Sequence, residues 1–469
     1  MRYTDKAMDK IKAFYNRRNR RLARRDCGIK HNYDRASDDY DWITINGAHV
    51  PINKNGTIVG GAEGEFKGEK YTGSKAEKNS EKGSFKLNKS AVKSKTLKKA
   101  VSNYEKEHDG QLPGQMEMHD LAYTNLGVAR MKARRIQNEY ARKYGFFTIN
   151  HAEQAEWLER KIEEAGPLRD SFDRSDPEWQ RWEDNIQKAR ETLQEHLDDP
   201  DYEKHKKDWN KLKGVVEIID SAKDDAKAFL VNKGKDFKSA EEAGAWIEVS
   251  GWVEDPGDDK QNPKEYGTYS NVSIRNMARS FACATAGAID VFQKKFPKLQ
   301  AVVTEVALRG MSDGDMGGFD PALCAVEYAS GYFSIDMIGR GTRTYEKNVR
   351  DGHFPAGTTI DSVPYHEFTH AMEEQFKIYD GNKGKGILGN KRPADVVLER
   401  VSKRLNLQPA EAKAKVSIYA LREYPERQEY DNAEFLAEAL SEAYTSPTPR
   451  AVAKAAQEEF EKLYHEIYD

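Results

Sequence analysis

A chain of 469 residues with 38% apolar and 33% charged side chains is long enough for two to four domains, yet too polar for one compact globule. Its 75 basic and 78 acidic residues leave a net charge of -3, which excludes a nucleic-acid binder acting through overall charge. No window approaches the roughly 20 consecutive apolar residues that span a bilayer, so no membrane partner is expected. Cys27, Cys283 and Cys324, odd in number and widely spaced, fit structural thiols in a reducing compartment and exclude a disulfide framework or a cysteine zinc site.

Residues 1 to 26 read as a basic helix carrying Arg17, Arg18, Arg20, Arg21, Arg24 and Arg25, without the apolar core of an export signal. This arm is the one part expected to approach nucleic acid. Asp41 to Ile52 reads as a β-hairpin turning at Asn46-Gly47, which makes 1 to 52 a small module. Residues 53 to 110, dominated by Gly, Lys, Ser and Asn, are expected to be a flexible linker; its basic run Lys86 to Lys99 reads as solvated.

Residues 111 to 254 show helical periodicity with dense charge, broken at Gly166-Pro167 and Asp199-Pro200. Trp157, Trp179, Trp182 and Trp209 there suit packing between helices better than a binding stripe. From about 255 to 469 the composition becomes globular. A helix is expected over Asn271 to Lys295, a strand over Gln300 to Leu308, and two strands around Gly331 between Ala322 and Ile338, with Tyr332 to Met337 as the edge. Pro364 then leads into a further helix. The fold class is α+β, with the sheet confined to this C-terminal region.

That last helix carries His366-Glu367-Phe368-Thr369-His370. Two imidazoles four residues apart project from one helical face and can share a metal ion, which points to a zinc peptidase. Glu367 is placed to take a proton from a metal-bound water attacking a carbonyl. The pattern is short, and ordinary helix histidines with a solvated Glu367 would also produce it. A hydrolytic site needs a third protein ligand. Phe376 and Glu373 stand where the metzincin arrangement requires histidine and glycine, so that arrangement is excluded. Glu374 shares the helical face, but a span of about 12 Å at roughly 1.5 Å per residue is too long for one ion. The remaining candidate is Asp431 to Glu442, where Glu434, Glu438 and Glu442 form a stripe opposite Phe435, Leu436, Ala439 and Leu440. An amphipathic helix with solvated glutamates reads the same way.

The pairing of His-Glu-Phe-Thr-His with the later Asn432-Ala433-Glu434-Phe435-Leu436-Ala437-Glu438-Ala439 resembles the gluzincin metallopeptidases related to anthrax lethal factor, a group with many phage-encoded members. The resemblance implies a zincin-like domain in which a small sheet covers the active helix and offers an edge strand to an extended peptide. It implies Zn2+ held by His366, His370 and Glu434, with Glu438 supporting the site and Glu367 as catalytic base; Leu436 replaces the family's second phenylalanine. It also implies an upstream tyrosine that stabilises the oxyanion. Tyr419, in Ser417-Ile418-Tyr419-Ala420, matches best, although Tyr424 and Tyr430 stand nearer to Glu434. His353 lies where related phage sequences carry a His-Pro element, with substrate-loop and structural readings both open.

The N-terminal hairpin, with Gly60-Gly61-Ala62 and Gly64-Glu65-Phe66, resembles segments of phage head-morphogenesis and minor capsid proteins. This implies a phage or prophage protein in the cytoplasm of a bacterial host or associated with the virion. The expected function is a zinc-dependent endopeptidase acting on a protein or peptide. The alternatives are a head-associated docking protein with a weak or inactive zincin domain, partnered with capsid proteins, and a toxin-like effector peptidase.

Overall fold

The computed structural model describes residues 40–45, 48–53, 85–145, 150–254, 260, 262–267, 270–311, 314–383, 386–422 and 432–469. The basic arm, Cys27, the Asn46-Gly47 pair and most of the expected linker lie outside the described residues. Strands β1 (Tyr40–Ile45) and β2 (Ala48–Asn53) pair antiparallel with Ile45 opposite Ala48, as the hairpin reading required. The rest of the described chain divides into a helical unit, Phe85–Val231 with Asp255–Ser270, and a sheet-bearing unit, Asn232–Glu254 with Asn271–Asp469.

Five long helices make the helical unit: α1 (Lys95–Glu107), α2 (Gln115–Tyr144), α3 (His151–Asp170), α4 (Pro177–Leu197) and α5 (Tyr202–Phe229). Helix α2 packs on α5, while α3 packs on both α4 and α5. Ile136, Tyr140, Trp209, Leu212, Val215 and Ile219 form their shared core. The linker expected through 110 therefore ends earlier. Val92, Leu97 and Val101 are buried among the lysines, and the wholly buried Asp225 accepts the N–H groups of Lys93 (2.6 Å) and Ser94 (3.0 Å). Ser94 in turn caps α1 by accepting from the Leu97 N–H.

The break expected at Gly166-Pro167 is absent, since α3 runs through Pro167 to Asp170. Proline falls in the last turn, where the carbonyl it releases belongs to the exposed Glu163 and can be solvated. Trp209 is buried and donates to Glu156, as a packing residue should, but Trp157 is exposed.

The sheet-bearing unit opens with α6 (Ala240–Val249) and contains a mixed sheet of β3 (Val272–Ser273), β4 (Glu305–Arg309), β5 (Gly317–Asp320) and β6 (Ala325–Ala329) in the order β3-β4-β6-β5. The first three strands in that order run parallel, and β5 lies antiparallel on β6. Residues 232–254, expected with the helical region, belong here because Val253 bridges Val303 and the Val303 N–H bonds the Trp252 carbonyl at 3.0 Å. Helix α7 (Arg279–Lys295) begins later than expected because Val272 and Ser273 are drawn into the sheet opposite Val306 and Ala307. The strand expected from Gln300 starts only at Glu305, after Ala301 turns the chain at φ 51°.

The edge strand is a correction. Tyr332 to Met337 is not a strand; Ser330–Phe333 forms a helical turn, and only Ser334 makes an isolated bridge, to Met277. Strand β5 is instead one of the two edges, beside β3 at the other, and its Gly317-Gly318-Phe319-Asp320 lacks the β-branched residues that mark a strand.

Six helices complete the unit: α8 (Ile338–Arg350), α9 (Val363–Lys383), α10 (Pro393–Leu405), α11 (Pro409–Ala414), α12 (Ala433–Thr445) and α13 (Ala451–Tyr468). Helix α9 carries the histidine pair and is central. Its Phe368, Met372 and Phe376 are fully buried, at about 2 kcal/mol of apolar transfer each. Phe368 meets the edge of Trp252, and Phe376 stacks on Phe460 with ring centres 4.7 Å apart. Among the described residues no helix is long and apolar enough to cross a membrane.

Glu373 lies on the core side of α9, 0% exposed, and joins that helix to the start of α10. It accepts from Arg392 Nε at 3.3 Å and from the Ala394 N–H at 3.1 Å. Removing the arginine leaves a carboxylate buried without its counter-charge. Arg392→Ala is expected to cost about 3–5 kcal/mol in urea denaturation; a loss below about 1 kcal/mol would show that this pair does not pin α10.

Candidate metal centre

Two helices face one another across the centre, α9 with the histidines and α12 with the glutamates. On α9 the four-residue spacing places His366 and His370 on one side, with their Nε2 atoms 3.1 Å apart. Across from them, Glu434 Oε2 stands 3.1 Å from His366 Nε2 and 3.6 Å from His370 Nε2. One turn further along α12, Glu438 Oε1 meets the other ring nitrogen of His366, Nδ1, at 2.9 Å. The glutamate stripe is therefore buried and not the solvated face that an ordinary amphipathic helix presents, with Glu434, Glu438 and Glu442 at 5%, 3% and 0% exposure.

Each buried carboxylate has a distinct set of partners. Glu438 Oε2 accepts from Ser417 Oγ at 3.1 Å, and that oxygen itself accepts from the Ala420 N–H at 3.0 Å. Glu442 is gripped by Arg450, Nε on Oε1 at 2.8 Å and Nη2 on Oε2 at 2.6 Å. Ser417 was legible only as part of the tyrosine motif, and Arg450 carried no sequence signal for this role.

Burial opposes charge on His366, but the carboxylates of Glu434 and Glu438 overcome it and hold the imidazole pKa well above its usual value. Burial likewise opposes ionisation of Glu434; His370 and His366 outweigh it and keep that carboxyl well below the usual range. Glu367 differs. Burial, only partly offset by His366 and His370, pushes its pKa up to about 6.

The edge strand reaches this carboxyl. A Cβ on Gly317 would stand 2.6 Å from Glu367 Oε1 and 3.1 Å from its Cδ, so the two occupy adjoining space only because residue 317 has no side chain. No sequence signal pointed to that role. Glu374, excluded above as a ligand, accepts from Arg392 Nη1 at 3.2 Å.

Tyr419 lies in a short 3-10 turn (Tyr419–Leu421), its ring centre 6.0 Å from that of His366, and its hydroxyl accepts from Arg422 Nη1 at 2.7 Å. The Tyr419 N–H bonds the His353 carbonyl at 3.1 Å, and the Ile418 N–H bonds that of Gly352 at 2.9 Å. The loop of His353 thus fixes the tyrosine through its backbone, with the two rings 5.3 Å apart. Tyr424 and Tyr430 lie outside the described residues.

His366, Glu367 and His370 form a cluster that could hold a metal ion, and Glu434 Oε2 lies against both imidazoles of that cluster. Two imidazoles and a carboxylate are the donor types that zinc favours. Comparisons of the chain with protein-family models, with curated proteins and with solved structures each returned no match.

The raised pKa of Glu367 is also a statement about folding. A carboxyl whose folded pKa lies above its ordinary 4.5 contributes stability that is present below pH 4.5 and lost as pH rises through about 6. In the presence of a chelator, Glu367→Gln is therefore expected to match the original protein below pH 4.5 and to exceed it by about 2 kcal/mol at pH 7.5. Denaturant titrations at the two pH values check this; equal stability at pH 7.5 would mean the carboxylate is well solvated.

Proposed function

We propose that the sheet-bearing unit is a zincin-like metallopeptidase domain of the gluzincin type, hydrolysing peptide bonds with zinc held by His366, His370 and Glu434. The spacing of the three donor atoms carries this reading. Ligands about 2.05 Å from a tetrahedral ion stand about 3.3 Å from one another, and the separations here are 3.1, 3.1 and 3.6 Å. These separations suit one ion shared by both imidazoles and the carboxylate.

Zinc, when bound, acts as a Lewis acid that acidifies water and polarises a carbonyl. Glu438, held by Ser417, orients the His366 ring by taking its Nδ1–H, which leaves Nε2 as the donor lone pair. Glu367, buried and with a pKa near 6, is suited to accept a proton from the attacking water at neutral pH and pass it to the leaving amine. Tyr419, whose ring lies beside that of His366 and whose backbone is held by the His353 loop, is our candidate to donate a phenolic hydrogen to developing negative charge on the carbonyl oxygen.

The sheet order supports an extended protein or peptide substrate. Strand β5 is the antiparallel edge, its Gly317 lies against Glu367, and an added strand along that edge would bring a backbone amide to the centre. The likeness of the N-terminal hairpin to phage head proteins supports a phage or prophage setting, with particle proteins among the substrates.

Glu367→Gln is expected to lower cleavage of an unfolded protein pool by at least about 100-fold while zinc stoichiometry stays at the original value. Wild-type cleavage by this variant would overturn the mechanism. Glu434→Ala is expected to weaken zinc binding, read by chelator competition, by more than the roughly 10–100-fold typical of losing a supporting partner. Unchanged affinity would remove Glu434 from the ligand set.

A further inference from the structure

The helical unit gathers three histidines and an aspartate from three separate helix ends. His151 is the first residue of α3, His196 lies in the last turn of α4, Asp199 follows it in the connecting turn, and His205 lies in the first turns of α5. His151 Nε2 stands 3.5 Å from Asp199 Oδ2, its Nδ1 stands 3.0 Å from His196 Nδ1, and its ring stacks on that of His205 with centres 5.2 Å apart. One donor atom from each of His151, Asp199 and His205 lies within 4.8 Å of the others.

We propose that this cluster is a second metal site, taking a zinc-type divalent ion through His151, Asp199 and one ring nitrogen of His205. Three features converge on it. His205 Nδ1 is buried and has no hydrogen-bond partner, an arrangement that a cation would relieve. Asp199 Oδ1 already accepts the Asp201 N–H at 2.8 Å, which turns Oδ2 toward His151. His196 supplies the orienting contact. With the His151 Nδ1–H donating to His196 Nδ1, the His151 Nε2 keeps its lone pair on the side of Asp199.

Two imidazoles and one carboxylate select a borderline transition ion over magnesium or calcium, which prefer all-oxygen sites. The side chains of His151 and Asp199 are 37% and 28% exposed, so an ion reaches the site from solvent. Its role is structural: it would clamp the start of α3 to the turn joining α4 and α5.

The test uses the full chain with His366→Ala and His370→Ala, so that the centre on α9 cannot contribute, and zinc chloride as the probe. This protein is expected to retain one zinc after gel filtration and to melt at a higher temperature with zinc than with chelator. Adding His151→Asn and His205→Asn should lower zinc affinity at least 100-fold and erase the melting shift, with far-ultraviolet circular dichroism unchanged. Cobalt should give the visible absorption of a low-coordinate site in the first protein and lose it in the second. Absence of zinc from the folded first protein, or its retention after the added pair of substitutions, overturns the proposal. If the added pair unfolds the chain, His196→Asn decides by itself: affinity should fall about 10–100-fold, and no change overturns the assignment. Failure of the peptidase reading leaves a different record, since His151→Asn with His205→Asn in an otherwise unaltered chain would then take zinc from one per chain to none, instead of from two to one.

Discussion

Two carboxylates one helical turn apart on α12 bracket a single imidazole of α9, and much of the sheet-bearing unit is arranged to make that burial tolerable. Ions removed from water cost several kcal/mol each unless they are paired and hydrogen-bonded. The pairing here is dense. His366 takes one carboxylate at each ring nitrogen, Ser417 bonds the far oxygen of Glu438, and Arg450 neutralises Glu442 a further turn along. Without an ion, a proton on His366 supplies the positive charge that Glu434 and Glu438 require. Under the proposed reading, metal uptake would exchange that proton for a cation held among side chains that already face one another.

The histidine pair was legible because a helix converts a four-residue interval into proximity, and the same rule made the glutamate stripe visible. Spacing within a helix says nothing about which helix will face it. That step came from the likeness of the two motifs taken together, and in the structure Glu434 lies against both histidines. The sheet was harder to read. Strand β5 escaped notice because Gly317 and Gly318 signal a turn, whereas Tyr332 to Met337, rich in aromatic and branched residues, drew the strand assignment and instead leaves β6 as a helical turn. Local propensity lost to tertiary pairing in both places.

The helical unit shows the complementary limit. Its aromatic and aliphatic core followed from periodicity, but His151 and His196 are 45 residues apart in sequence, and no local window contains their meeting. Lysine-rich composition hid α1 in a similar way. Three apolar residues and a serine cap are enough to dock it, and the decisive partner, Asp225, lies 131 residues beyond Ser94. Composition describes a segment by itself, while docking depends on what another segment offers.

Gly317 adds a constraint of a different kind. The space that a methyl group would need there is taken by the carboxyl end of Glu367. A methyl group at 317 would therefore require the buried Glu367 carboxyl, the far end of its side chain, to shift. Gly318, one step along, is crowded only by the tip of Met311 at 3.3 Å, a flexible neighbour that can yield. The two adjacent glycines thus differ in what an added side chain would displace, a buried carboxyl at 317 and the tip of a methionine at 318.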